Sequence, residues 1–273
     1  LYYSGSSGNY NTAFGSQSLY TLTAGTRNIS IGSYNMTAAT TSNDIVSIGS
    51  MAGTKFTIQT NTTILGPFIY SNQLNTSFSS NVGIGVNVLL YGASSQNVVL
   101  GSNSYKTENT SYSPAGGNVV IGDTAVSNGL GRFVYASNGY STVIGNYVFT
   151  GVTDTNEGFY SPTIIGNNVG RNYTTIGNQV LLGNNIGAHT SSGTITQGLV
   201  YIGDATNSFK NNSLYGQNDT DTYVGTHIYK SGTTPTRGNR YIIGHKLGAY
   251  TTSIASLINI GYDNANVCNS RTE

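Results

Sequence analysis

The sequence predicts an all-β protein, a parallel β-solenoid of about 14 coils. Three observations carry that expectation. A short unit recurs from Gly15 to Gly261: a β-branched residue, a second residue, an apolar residue, then glycine. Its glycines return every 16 to 23 residues. No segment shows the periodicity of a helix between recognisable start and stop signals.

The unit opens as Thr12-Ala13-Phe14-Gly15, Ile29-Ser30-Ile31-Gly32 and Val46-Ser47-Ile48-Gly49. Thr63-Ile64-Leu65-Gly66, Val82-Gly83-Ile84-Gly85, Val98-Val99-Leu100-Gly101 and Val119-Val120-Ile121-Gly122 follow. Next come Thr142-Val143-Ile144-Gly145, Thr163-Ile164-Ile165-Gly166 and Val180-Leu181-Leu182-Gly183. The series closes with Val200-Tyr201-Ile202-Gly203, Thr222-Tyr223-Val224-Gly225, Tyr241-Ile242-Ile243-Gly244 and Ile258-Asn259-Ile260-Gly261. A competing copy, Thr174-Thr175-Ile176-Gly177, is set aside because Gly183 restores a spacing of 17 residues from Gly166.

Each copy is too short for a helix and reads as a strand of about five residues. A repeat of this length cannot bury its own apolar face and must stack on its neighbours. The glycine marks a corner or bulge where the backbone needs freedom. Stacked at the usual strand separation, the coils would span roughly 65 Å. Residues 12–85 are expected to form regular coils, and residues 86–261 coils with longer loop insertions. Residues 262–273 read as a tail without a cap.

Strand alternation assigns the faces. The residue before each glycine is always apolar, and the one two places earlier is Thr, Ile or Val in 13 of 14 copies. These two share a face and are expected to line the inner wall. The residue between them should then point outward: Ala13, Ser30 and Ser47 first, later Val99, Val120, Val143, Ile164 and Leu181. An outward apolar row needs a cover. Identical chains around a common axis give the simplest one, so a homotrimer is expected ahead of self-cover by loops.

Charged residues make up 8% of the 273, and the net charge is +1. The scattered Lys and Arg exclude a phosphate-backbone binder working by charge density. A polar, weakly charged surface rich in Asn, Ser and Thr suits an extracellular or virion-surface protein. The lone Cys268 has no internal disulfide partner. No stretch approaches the ~20 apolar residues of a membrane helix. The chain starts at Leu1 with no visible signal peptide, which reads as a processed product or an excised fragment.

The segment Asn11-Thr12-Ala13-Phe14-Gly15-Ser16-Gln17-Ser18-Leu19 closely resembles the repeat of viral tail-fibre proteins and trimeric autotransporter adhesin heads. The third residue after the glycine fits that pattern at Ser18, Ala52, Ser104 and Ala125, and departs from it at Asn35 and Asn264. The resemblance implies a left-handed parallel β-roll, three chains side by side, and a fibre or adhesive role. It specifies architecture more than ligand.

Chemistry is sparse. Paired carboxylates of the kind that cleave polysaccharides would have to come from ten Asp and Glu, most of them in turns. Asp123 and Asp204 each follow a repeat glycine, four coils apart, or ~19 Å at the usual strand spacing, too far to act as a pair. His189, His227 and His245 are isolated, and neither metal-ligand spacing nor a phosphate loop is present. No enzyme, metal or cofactor is therefore expected. Eight Asn-x-Ser/Thr sequons are no more than such a composition supplies by chance. The long loops carry Tyr112, Phe133, Tyr135, Tyr140, Phe159 and Tyr160, which could stack on sugar rings or simply roof the apolar row. The expected function is a non-enzymatic fibre segment presenting attachment surfaces, with a cell-surface glycan as a candidate partner. A filament subunit stacking end to end is the alternative, with a polysaccharide-degrading enzyme a distant third.

Overall fold

The computed structural model describes residues 8–54, 58–69, 77–88, 95–104, 117–123 and 142–147. It further describes 163–167, 173–176, 180–184, 193–195, 200–204, 222–226, 229–231, 239–245, 248–251, 256–262 and 265–268. Among the described residues every regular element is a strand. In chain order these begin with β1 (Thr12–Phe14), β2 (Ile29–Ile31), β3 (Thr41–Ile48), β4 (Ile58–Leu65) and β5 (Ser77–Ser79). Then come β6 (Val82–Val86), β7 (Val98–Ser102), β8 (Val119–Asp123), β9 (Thr142–Asn146) and β10 (Thr163–Asn167). β11 (Tyr173–Ile176), β12 (Val180–Asn184), β13 (Gly193–Ile195), β14 (Val200–Asp204) and β15 (Thr222–Thr226) follow. The last are β16 (Tyr229–Ser231), β17 (Asn239–His245), β18 (Gly248–Thr251), β19 (Ser256–Tyr262) and β20 (Ala265–Cys268).

The fold is a parallel β-solenoid. One 15-stranded sheet runs β1-β2-β3-β4-β6-β7-β8-β9-β10-β12-β14-β15-β17-β19, with β5 also beside β4. Successive copies of the repeat pair directly, residue on residue: Val98 with Val119, Gly101 with Gly122, Gly225 with Gly244. Gly166 pairs with Gly183, and the competing copy around Ile176 sits in β11 of a separate two-stranded sheet. The strands β16, β18 and β20 make a third sheet. It includes Ala265–Cys268, part of the stretch that reads as a featureless tail in the sequence.

The assignment of faces is the reverse of the one expected from the sequence. The middle residue of the unit points inward: Ser30, Ser47, Ile64, Val99, Val120, Val143, Ile164 and Leu181 are fully buried. The residue before the glycine is partly exposed on the outer side, as at Ile48, Ile84 and Ile165. A rule of apolar inside and polar outside fails here for a physical reason. The first interior side chains are polar but satisfied, so they carry no desolvation deficit. Ser18 Oγ lies 2.7 Å from Ser30 Oγ, and Ser47 Oγ donates to Asn35 Oδ1 at 2.6 Å. From Ala52 and Ile64 onward the same inner positions turn mostly apolar, with Ile69, Val88, Val99 and Val120, and Ser104 is a buried polar exception.

Left-handed residues turn the corners. One column lies two residues before the unit: Tyr10, Arg27, Asp44, Asn61, Ser80 and Gln96 all have φ between 51° and 64°. A second lies two residues after the glycine and includes Gln17, Tyr34, Met51, Phe68, Asn87 and Asn103. Backbone bonds join the corners coil to coil, as in Tyr34 N–H to Ser16 O at 2.8 Å and Met51 N–H to Ser33 O at 2.9 Å. The glycine column is needed for close approach as well as conformation. Gly145 has φ +138°, and a Cβ there would fall on the carbonyl oxygen of Gly166.

Candidate functional site: the outer face of the sheet

Parallel pairing in register converts each repeat position into a straight column. Two columns face outward on the 15-stranded sheet, one from the β-branched residue and one from the residue before the glycine. Neither contains a charged residue in any of its copies. Ile29, Ile48, Ile84, Ile165, Ile202 and Ile243 are exposed by 37–41% of their surface. Phe14 and Ile260, in the first and last strands of this sheet, are exposed by 74% and 67%. The apolar surface also wraps round the corner past the glycine, where Tyr34, Met51 and Phe68 stand exposed in consecutive coils. Bulky residues are uncommon at φ between 53° and 58°, where Asn or Gly is the cheaper choice. The result is an uncharged, largely apolar strip along the outer side of the sheet.

Inside the same coils, asparagines form ladders. Asn28 Nδ2 donates to Asn11 Oδ1 at 2.9 Å and to Ser42 O at 2.6 Å. Higher up, the N–H and Nδ2 of Asn118 both donate to Asn97 Oδ1 at 3.0 Å. Asn97 bonds Asn81 Oδ1 in the same way, through N–H at 2.8 Å and Nδ2 at 3.2 Å. Each amide fixes the coil above it, so the ladders hold the register that aligns the outer columns. The sequence carries the signal, Asn directly before the unit at positions 11, 28, 81, 97 and 118, but its hydrogen bonds are invisible without the stacking. Asn35, one of the two departures from the repeat pattern, is buried and bonded to Ser47.

Electrostatics on the described surface are slight. Arg27 and Asp44 occupy one corner column in adjacent coils and form a two-pronged pair, Nε to Oδ1 at 2.5 Å and Nη2 to Oδ2 at 2.8 Å. The hydrogen bond from Arg27 holds the Asp44 carboxyl below its ordinary value, and the same bond raises Arg27 further. Both side chains are substantially exposed, so the pair adds little stability.

The aromatic loop residues Tyr112, Phe133, Tyr135, Tyr140, Phe159 and Tyr160 lie outside the described residues, as do His189 and His227. Asp123 and Asp204 end β8 and β14, four strands apart in the sheet. Among the described residues no group of three or more His, Cys, Asp or Glu could hold a metal ion. Among the described residues there is no helix long and apolar enough to cross a membrane. No known protein family, curated protein or solved structure matches the chain.

Proposed function

We propose that this chain is a non-enzymatic structural segment of an extracellular or virion-surface fibre. In this reading about 14 left-handed coils, one for each copy of the unit, form a shaft. Three chains pack their outer columns against one another, and the loops between coils carry attachment surfaces. The observation that supports this most is the uncharged apolar outer face of the long sheet. A partner for such a face must be apolar, uncharged and ridged at the strand separation of ~4.8 Å. A second copy of the same face meets all three requirements, and cyclic symmetry closes the contact.

Sedimentation analysis of the purified chain tests the reading, with a discrete trimer expected. The paired substitutions I84E and I165E add charge to partly exposed positions, so each subunit should keep its fold within about 0.5 kcal/mol. They should dissociate the trimer into monomers of unchanged circular dichroism. A wild-type chain that sediments as a monomer sinks the proposal. End-to-end filaments are the second reading, favoured by the high exposure of Phe14 and Ile260 at the two ends of the sheet. Open-ended polymers that survive I84E/I165E would support it over the trimer.

A further inference from the structure

Among the described residues one buried side-chain nitrogen has no hydrogen-bond partner, Nδ2 of Asn81. Its position in the ladder explains why. Asn97 and Asn118 each place their amide nitrogen on the Oδ1 of the asparagine one coil below. The coil below Asn81 has Thr62 at that position in place of an asparagine oxygen; its Oγ1 donates to Thr60 O at 3.0 Å and accepts no bond from Asn81 Nδ2. Asn11, the lowest rung of the other ladder, meets Gly25 O at 2.7 Å instead. Asn81 is fully buried, so water does not reach it either.

The backbone pairing at this step is split. β4 meets β5 at three positions, Ile58 to Thr60, and β6 at three more, Thr63 to Leu65, whereas β6 with β7 and β7 with β8 each pair in one unbroken run of five. One coil earlier, β3 and β4 pair at seven positions. The interior changes character close by as well: Gly83 takes the middle position, where the adjacent coils have Ile64 and Val99.

We propose that the step between Thr62 and Asn81 is a built-in opening point, at which β4 parts from β5 and β6 of the coil above. Opening costs no side-chain amide bridge there and lets the Asn81 amide bond to water. In an otherwise stiff rod, bending or thermal opening concentrates at that step. An unmade buried hydrogen bond lowers the local opening free energy enough for about a tenfold or greater rise in the open population.

Hydrogen exchange of the intact chain reads this directly, because one backbone bond reports each step. Thr63 N–H donates to Asn81 O at 2.9 Å, Val82 N–H to Asn97 O at 2.8 Å and Val98 N–H to Asn118 O at 2.8 Å. The Thr63 amide should exchange about tenfold faster than those of Val82 and Val98. T62N supplies the missing Oδ1 and should bring Thr63 to the Val82 rate while leaving Val98 unchanged. N97T creates the same defect beneath Asn118 and should speed Val98, which keeps the proposal testable if T62N folds poorly. Equal exchange at the three amides in the parent chain overturns it. So does a Thr63 rate unmoved by a folded T62N, or a Val98 rate unmoved by N97T.

Discussion

At the scale of single residues, the interior is built from matched pairs across successive coils. Asn35 and Ser47 are one such pair, and each is satisfied by the other. The next coil fills the corresponding positions with Ala52 and Ile64, both fully buried. The double substitution N35A/S47I therefore transplants a pair that already works and should change stability by less than about 1 kcal/mol. S47I alone overfills the site and leaves the Asn35 oxygen without its donor, at a cost of about 2–4 kcal/mol. Chemical denaturation of the three variants measures the coupling. The glycine column is less forgiving. G145A needs a disfavoured φ and an atom where the Gly166 carbonyl oxygen already sits, so it should lose at least about 3 kcal/mol or fail to fold.

Asp44 also belongs to this scale. Its folded value is depressed by the Arg27 hydrogen bond, so the pair stabilises the fold above the ordinary carboxylate range. That contribution is lost as pH falls through the depressed value. An NMR titration should place the Asp44 midpoint below that of a free aspartate, and R27Q should raise it back toward the ordinary carboxylate range. Thermal stability at neutral pH should barely change in R27Q, because both groups face solvent.

At the scale of the elements, the sequence made the pairing partners legible and hid the orientation. The glycine recurs with few competitors, so spacing alone selects Gly183 over Gly177 and the sheet pairs accordingly. Orientation was illegible because the unit is apolar on both faces in most copies. Where it is not, in Ser30 and Ser47, the polar residue lies inside. Hydropathy carries no information about a hydroxyl satisfied by a neighbour 12 residues away. The eight-residue strands β3 and β4 and the short strands of the two minor sheets were also not apparent. Their residues, such as Thr41 to Asn43 and Gly193 to Ile195, are the same Thr, Ser, Asn and Gly that fill the turns. The expected outward apolar row was assigned to the wrong residues for the reason that inverted the core. A strip of Ile and Val before glycine reads as an interior until its neighbours are known.

At the scale of the whole molecule, successive strands of the long sheet keep one register, and the described corners recur from coil to coil although the asparagine ladder does not run through every step. The unit of construction is thus a whole number of residues from glycine to glycine, 17 for the first three steps. Removing residues 33–49 takes out one such length. It deletes both members of the Asn35–Ser47 pair together and joins Gly32 to Ser50, which keeps Ala52 three places after a glycine. The shortened chain should fold, with a melting temperature a few degrees lower for one lost nearest-neighbour interface. Small-angle scattering should find it shorter by about 4.8 Å. Deleting Ser33 alone removes far less mass but shifts every later inner side chain of that coil toward solvent, and should be the more damaging change. Length in this protein is therefore digital: evolution or an engineer can add or subtract reach in fixed increments, as on a ruler, without redesigning the material between the marks.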